Sequence, residues 1–112
     1  MTAEINLNNV TTTIAEVAAN LAPIGKKVKM DVGFAAPIIY DGTVTPAKVD
    51  NVDRETDTTI RMDHATFLAL SQGQTTGPAA VMAGKLKITG DMGAAMAFQG
   101  IMDRVQKAYK GG

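Results

Sequence analysis

Residues 84–93 read GKLKITGDMG. Leu86 and Ile88 alternate with Lys85, Lys87 and Thr89, which is the period of a half-buried strand. Gly84 closes whatever comes before this strand, and Gly90 ends the strand itself. Asp91 is then a good N-cap for a long helix, MGAAMAFQGIMDRVQKAYK, over residues 92–110. Taken alone, the stretch is a well-punctuated strand-to-helix junction that any α+β domain could hold.

Upstream, NNVTTTIAEVAANLAPIG places Val10, Ile14, Val17 and Leu21 at helical spacing, with Asn8 or Asn9 as cap and Pro23 as terminator. The period then changes to two. KKVKMDVG sets Val28, Met30 and Val32 against Lys27, Lys29 and Asp31. APIIYDGT is a second strand closed by Asp41-Gly42, and PAKVDNV a third, with Pro46 marking an edge. TTIRMD is the fourth, with Ile60 and Met62 opposite Thr59 and Arg61. Asp63 caps HATFLALSQ, which Gly73 closes, and Thr76-Gly77-Pro78 opens the short helix AAVMA. The order is helix, four strands, two short helices, strand, helix. Segregated strands and helices predict an α+β fold, with one five-stranded sheet and helices available to cover one face.

The length of 112 residues predicts one domain, 1–112. Eleven basic and eleven acidic residues argue against a nucleic-acid partner, which calls for a basic excess. The chain has no cysteine, which excludes disulfides, thiol chemistry and thiolate metal sites. The start shows no basic and apolar signal pattern, no window is apolar enough to span a bilayer, and YKGG is no sorting signal. These features predict a cytoplasmic protein. The apolar residues are soft: seventeen Ala and seven Met against three Phe, two Tyr and no Trp. By itself this composition fits ordinary helix packing as well as an adaptable cavity.

No constellation for catalysis stands out. His64 is the only histidine, and on a first helical turn without nucleophile or second ligand it reads as a surface or capping residue. Asp50, Asp53, Glu55 and Asp57 lack the spacing of a calcium loop and read as a solvated segment. GPAAVMAGK has Leu86 where a phosphate-binding loop needs Ser or Thr. On the C-terminal helix, Ala94, Ala95, Phe98, Ile101, Met102, Val105 and Tyr109 form an apolar face. Lys107 and Lys110 suit the helix C-terminus and could touch an anionic membrane surface. Met96 and Phe98 lie about 200° apart on a helix. Phe98 is expected to anchor the helix to the core, and Met96 to border ligand or solvent.

Residues 57–102 resemble the sterol carrier protein 2 family of lipid-transfer domains. The resemblance rests on an ordered series: Thr59-Ile60-Arg61-Met62, the cap Asp63, Phe67 to Leu70, Gly73, Gly84 to Gly90, Asp91 to Gly93, and Ala95 to Gln99. It implies a five-stranded mixed sheet covered on one face by helices, with an apolar tunnel between the layers. The implied function is non-catalytic, intracellular carriage of a fatty acid, fatty acyl-CoA or sterol-like lipid, with no cofactor and no metal. The alternative is an accessory or oligomerisation module of a lipid-metabolising system that keeps the fold without ligand exchange. On the resemblance, the tunnel candidates are Met30, Val32, Phe34, Ile39, Ile60, Met62, Phe67, Leu70, Met82, Leu86, Ile88, Met92, Ala95, Met96, Gln99 and Met102. Arg61, Lys85, Lys87 and Gln99 are candidates for holding a head group. Ala97 stands where the family often carries a charge, and the helix running on through Tyr109 could cover the mouth or support a homodimer. Gly93 and Gly100 would let that helix lift as a gate.

Overall fold

The computed structural model describes residues 5–110, with side chains through Lys107. The chain forms α1 (Leu7–Ala18), β1 (Lys27–Asp31), β2 (Ile38–Asp41), β3 (Lys48–Asp50), β4 (Thr58–Met62), α2 (His64–Ser71), α3 (Gly77–Met82), β5 (Leu86–Gly90) and α4 (Met92–Lys110). The five strands make one sheet in the order β3-β2-β1-β4-β5. β1 and β4 are parallel and every other pair is antiparallel, so the sheet is mixed, as expected.

Register carries one side-chain set onto one face. Val28 lies opposite Tyr40 and Thr58, and Met30 opposite Ile38 and Ile60. On the other side of β4, Ile60 lies opposite Ile88 and Met62 opposite Leu86. This face packs against Val10, Ile14 and Ala18 of α1 and Ala94, Phe98, Ile101 and Val105 of α4. Those helical residues recur every three or four positions, so each helix buries one stripe. Phe98 is fully buried, with its ring edge-on to Tyr40 at 5.1 Å between centroids.

The opposite face holds Lys29, Ile39 and Asp50 in register. To join β3 to β4 across two intervening strands, residues 51–57 pass over this face. The Lys29–Asp53 ion pair at 2.7 Å holds them there, and Asp50 pairs with Arg54 at 3.1 Å. Ile39 is buried on this face, outside the core cluster of the helix side. The acidic run is thus engaged in structure, since Asp57 accepts from the Lys27 amide at 2.8 Å.

Helix ends follow local chemistry. Asp63 accepts from the Thr66 amide at 2.8 Å, Thr76 from that of Ala79 and Asp91 from that of Ala94 at 3.0 Å. The cap of α1 is Asn6, which accepts from the Asn9 amide at 2.8 Å, rather than Asn8 or Asn9. The helix also stops at Ala18, and Leu21 reaches the core from the turn beyond it. Gly90 has φ +98°, and a Cβ there would run into the Asp57 carbonyl oxygen. The turn from β5 into α4 passes that close to β4, so only glycine fits.

Candidate functional site

Between the sheet, the α2–α3 segment and α4 lies a cavity of about 860 Å³. Its floor is Met30, Ile60, Met62, Leu86 and Ile88 from the sheet, with Val10 from α1. One wall is Phe67, Leu70, Ser71, Gly73, Thr75, Thr76, Gly77, Pro78, Val81 and Met82. The other is α4, through Met92, Ala95, Met96, Phe98, Gln99, Met102, Asp103, Val105 and Gln106. The helix can serve as both wall and core because two stripes share it. Ala94, Phe98, Ile101 and Val105 hold it to the sheet, and a neighbouring stripe turns toward the void. Gln106 Nε2 donates to the Leu70 carbonyl at 2.8 Å, tying the two walls together. Gln99 rests against Gly77, where a Cβ would stand 3.0 Å from its Nε2.

Six of the seven methionines line this cavity: Met30, Met62, Met82, Met92, Met96 and Met102. The seventh, Met1, lies outside the described residues. An unbranched thioether fills irregular space and repacks at little cost. The methionine at the floor, Met30, is buried, and those at the rim, Met82 and Met96, are exposed.

Of the tunnel candidates, Met30, Ile60, Met62, Phe67, Leu70, Met82, Leu86, Ile88, Met92, Ala95, Met96, Gln99 and Met102 all line the cavity. Three do not. Val32 is buried in the core just past β1. Phe34 stands edge-on to Phe67 and His64, at 5.6 and 4.9 Å between centroids. Ile39 points to the far face, because Ile38 and Tyr40 take the helix side.

The wall contributed by residues 71–78 was not expected, since that segment has no periodicity to reveal it. Asp103 and Gln106 did carry a signal, continuing the Gln99 stripe at helical spacing.

Two further expectations are corrected. Arg61 and Lys87 lie side by side on the sheet face away from α4, and Arg61 Nε pairs there with Asp31 at 3.2 Å. Lys85 borders the same surface, so of the four head-group candidates only Gln99 lines the cavity. His64 is no isolated surface group. It is half-buried, its Nδ1 is 3.3 Å from the Val32 carbonyl, and its ring packs on Phe34.

α4 runs without a break through Gly93 and Gly100. The expected contributions of Tyr109 and Lys110 lie outside the described side chains. Among the described residues, no three His, Cys, Asp or Glu side chains form a cluster able to hold a metal, and no helix is long and apolar enough to cross a membrane.

A mixed five-stranded sheet under one helical layer, with a largely apolar cavity between them, defines an α+β domain with a candidate ligand site. Residues 8–103 match the model of the SCP-2 sterol transfer family, and the chain belongs to that family. Over 60 residues, 54% of its length, it is 45% identical to human (Homo sapiens) sterol carrier protein 2, of which that match spans 10%. The chain thus corresponds to about a tenth of that curated relative.

Among solved structures it is similar to sterol carrier protein 2 like 2 from Aedes aegypti. The TM-score is 0.67 at 22% identity, covering 83% of this chain and 93% of that one. It is also similar to the Aedes aegypti sterol carrier protein 2 solved in complex with palmitate, at TM-score 0.67 and 14% identity, covering 87% and 94%.

Proposed function

We propose that this domain is a non-catalytic, intracellular lipid carrier that holds the apolar part of a fatty acid, fatty acyl-CoA or sterol-like lipid in the cavity beside α4. The observation that carries this reading is the cavity itself, about 860 Å³ and lined by six methionines. That volume falls among ligand pockets, which run roughly 300–1,000 Å³. The palmitate complex of the Aedes aegypti neighbour supports the same class of ligand. Polar groups sit where α4 passes the α2–α3 segment, with Gln99, Asp103 and Gln106 opposite Ser71, Thr75 and Thr76. They can orient a head group, whereas the remaining lining can only bury a chain.

The arithmetic sets the affinity. Ten buried methylenes at about 0.8 kcal/mol each contribute about 8 kcal/mol. Association and ordering remove about 4 kcal/mol or more, which leaves about 4 kcal/mol, or roughly millimolar binding, and about five further methylenes bring the limit to roughly micromolar. Such affinity suits exchange rather than storage.

Displacement of a fluorescent fatty acid by saturated fatty acids of increasing length tests this. Affinity should rise about fourfold per added methylene while the cavity still has room, then level off. Absence of saturable binding for fatty acid, acyl-CoA and sterol alike would overturn the carrier reading and leave the accessory module.

A further inference from the structure

A ligand that ends in an ionised carboxylate or a phosphate is held best by a cation where its head comes to rest. Among the described residues the cavity offers none. Its lining contains no lysine, arginine or histidine, and its one charged side chain is an acid, Asp103. The cations around β4 and β5, namely Arg61, Lys85 and Lys87, border the opposite face of the sheet. Asp103 itself is exposed, where the lining meets solvent, and makes no ion pair among the described residues. Its neighbours on α4, Arg104 and Lys107, are exposed and outside the lining.

The uncharged polar groups beside Asp103 have spare capacity of both kinds. Gln106 gives its Nε2 to the Leu70 carbonyl, which leaves Oε1 to accept. Ser71 donates its hydroxyl to the Phe67 carbonyl at 2.9 Å, which leaves only its lone pairs. Thr76 Oγ1 accepts from the Ala79 amide at 3.3 Å, so its hydroxyl proton remains to be given. Thr75 and Gln99 add further donors. A carboxylate only accepts and an ammonium only donates, so each leaves part of this set without a partner. A hydroxyl does both.

We propose that the cavity selects a lipid with an uncharged hydroxyl head, an alcohol in chemical class, and that Asp103 sets the preference. Its carboxylate accepts from the ligand hydroxyl and repels an ionised carboxylate brought to the same place. The phosphates of an acyl-CoA would meet the same acid with no lining cation to hold them. The proposal rests on the carrier reading above and narrows it.

Three probes test the selection: an alcohol, an acid and an amine on the same pyrene-tagged alkyl chain. Each is titrated into the unmodified protein in vesicle-free buffer near neutral pH, where the acid is ionised and the amine protonated. Pyrene emission reads the binding. The alcohol should bind at least about fivefold more tightly than the acid, which is the penalty for two like charges about 4 Å apart in water. Asp103→Asn should narrow that ratio by roughly the same fivefold. Glu16→Gln makes the same change of charge on α1, away from the lining, and should leave the ratio as it was.

Acid or amine bound as tightly as the alcohol overturns the proposal. So does a ratio that Asp103→Asn leaves unmoved, or that Glu16→Gln moves equally, since net charge would then be the cause. Saturable binding of any of the three probes upholds the carrier reading whatever their order, so selection alone is refuted in those cases. If none of them binds saturably, the carrier reading falls and takes the selection with it.

Discussion

Replacing Phe98 by alanine removes the ring that joins the α4 wall to the sheet. That ring is fully buried and stands edge-on to Tyr40 at 5.1 Å. Truncating a buried phenylalanine costs about 3–5 kcal/mol, as lost transfer energy plus the void left behind. Here the void cannot easily collapse, because it opens into an existing cavity of about 860 Å³. The aromatic pair contributes roughly 0.5–1.5 kcal/mol of its own, which places the cost in the upper part of that range. A domain of 112 residues has on the order of 6–17 kcal/mol in total, so the variant stays folded but loses much of its margin. At about 4 °C per kcal/mol, Tm should fall by roughly 16–20 °C in a ligand-free melt followed by circular dichroism. Met96 is 70% exposed, and Met96→Ala should stay within about 0.5 kcal/mol while changing ligand affinity or chain-length preference. If Met96→Ala proves the more damaging of the two, or Phe98→Ala leaves Tm unmoved, the division of α4 into a core stripe and a cavity stripe is wrong.

Gly84 and Gly90 both have positive φ, but only Gly90 also has backbone in the way. In urea melts Gly84→Ala should cost about 1–2 kcal/mol from strain alone, and Gly90→Ala more, so equal costs would deny the close approach to Asp57. His64→Ala should cost about 1 kcal/mol through its contacts with Val32 and Phe34, with fatty-acid affinity unchanged because His64 is not part of the lining; an unmoved urea midpoint would show that those contacts carry nothing. The cap carboxylates give the pH dependence. Hydrogen bonds from Thr66 hold Asp63 below the usual carboxylate range, and the Ala94 amide and then Lys26 do the same for Asp91. A carboxyl depressed on folding binds fewer protons in the native state, so its stabilisation is complete above the unfolded value near about pH 4 and disappears as pH drops through the folded one. Tm should therefore hold level from neutral pH to about pH 5 and fall below about pH 4. A rise in that acid range would contradict the assigned hydrogen bonds.

Much of this architecture was legible because punctuation and period agreed. Asp63 and Asp91 each follow a strand of strict alternation and accept from the amide three residues on, so strand end and helix start fix one another. The weaker readings fell where two answers satisfy the same pattern. Asn6, Asn8 and Asn9 all offer a cap at the start of α1, and Asn6 takes it, with Leu7 already helical and packed on the core. Ile38, Ile39 and Tyr40 form an unbroken apolar run with no alternation to sort them. The sorting depends on the register of β2 against β1 and β3, which is a property of topology. The same holds for Arg61 and Lys87, whose side of the sheet follows from register, and for Thr75 and Thr76, which reach the cavity from an aperiodic segment. Val32, just past β1, joins Val28 and Met30 in the core as alternation predicts, and only its place along the strand direction keeps it out of the cavity lining.

The methionine lining also sets how the protein meets an oxidant. With no cysteine in the chain, thioether sulfur is where peroxide acts first, and each sulfoxide turns an apolar side chain into a polar one. Access is graded by depth: Met82 and Met96 stand in solvent, Met92 is half out, and Met62 and Met30 lie under the helices. Oxidation would therefore spread from rim to floor, in an order that peptide mapping after peroxide treatment reads directly. A lipid seated in the cavity would shield the deeper sulfurs. Early damage would then wet the entrance while the core under α1 and α4 stays dry, and the domain would lose its grip on apolar cargo well before it lost its fold.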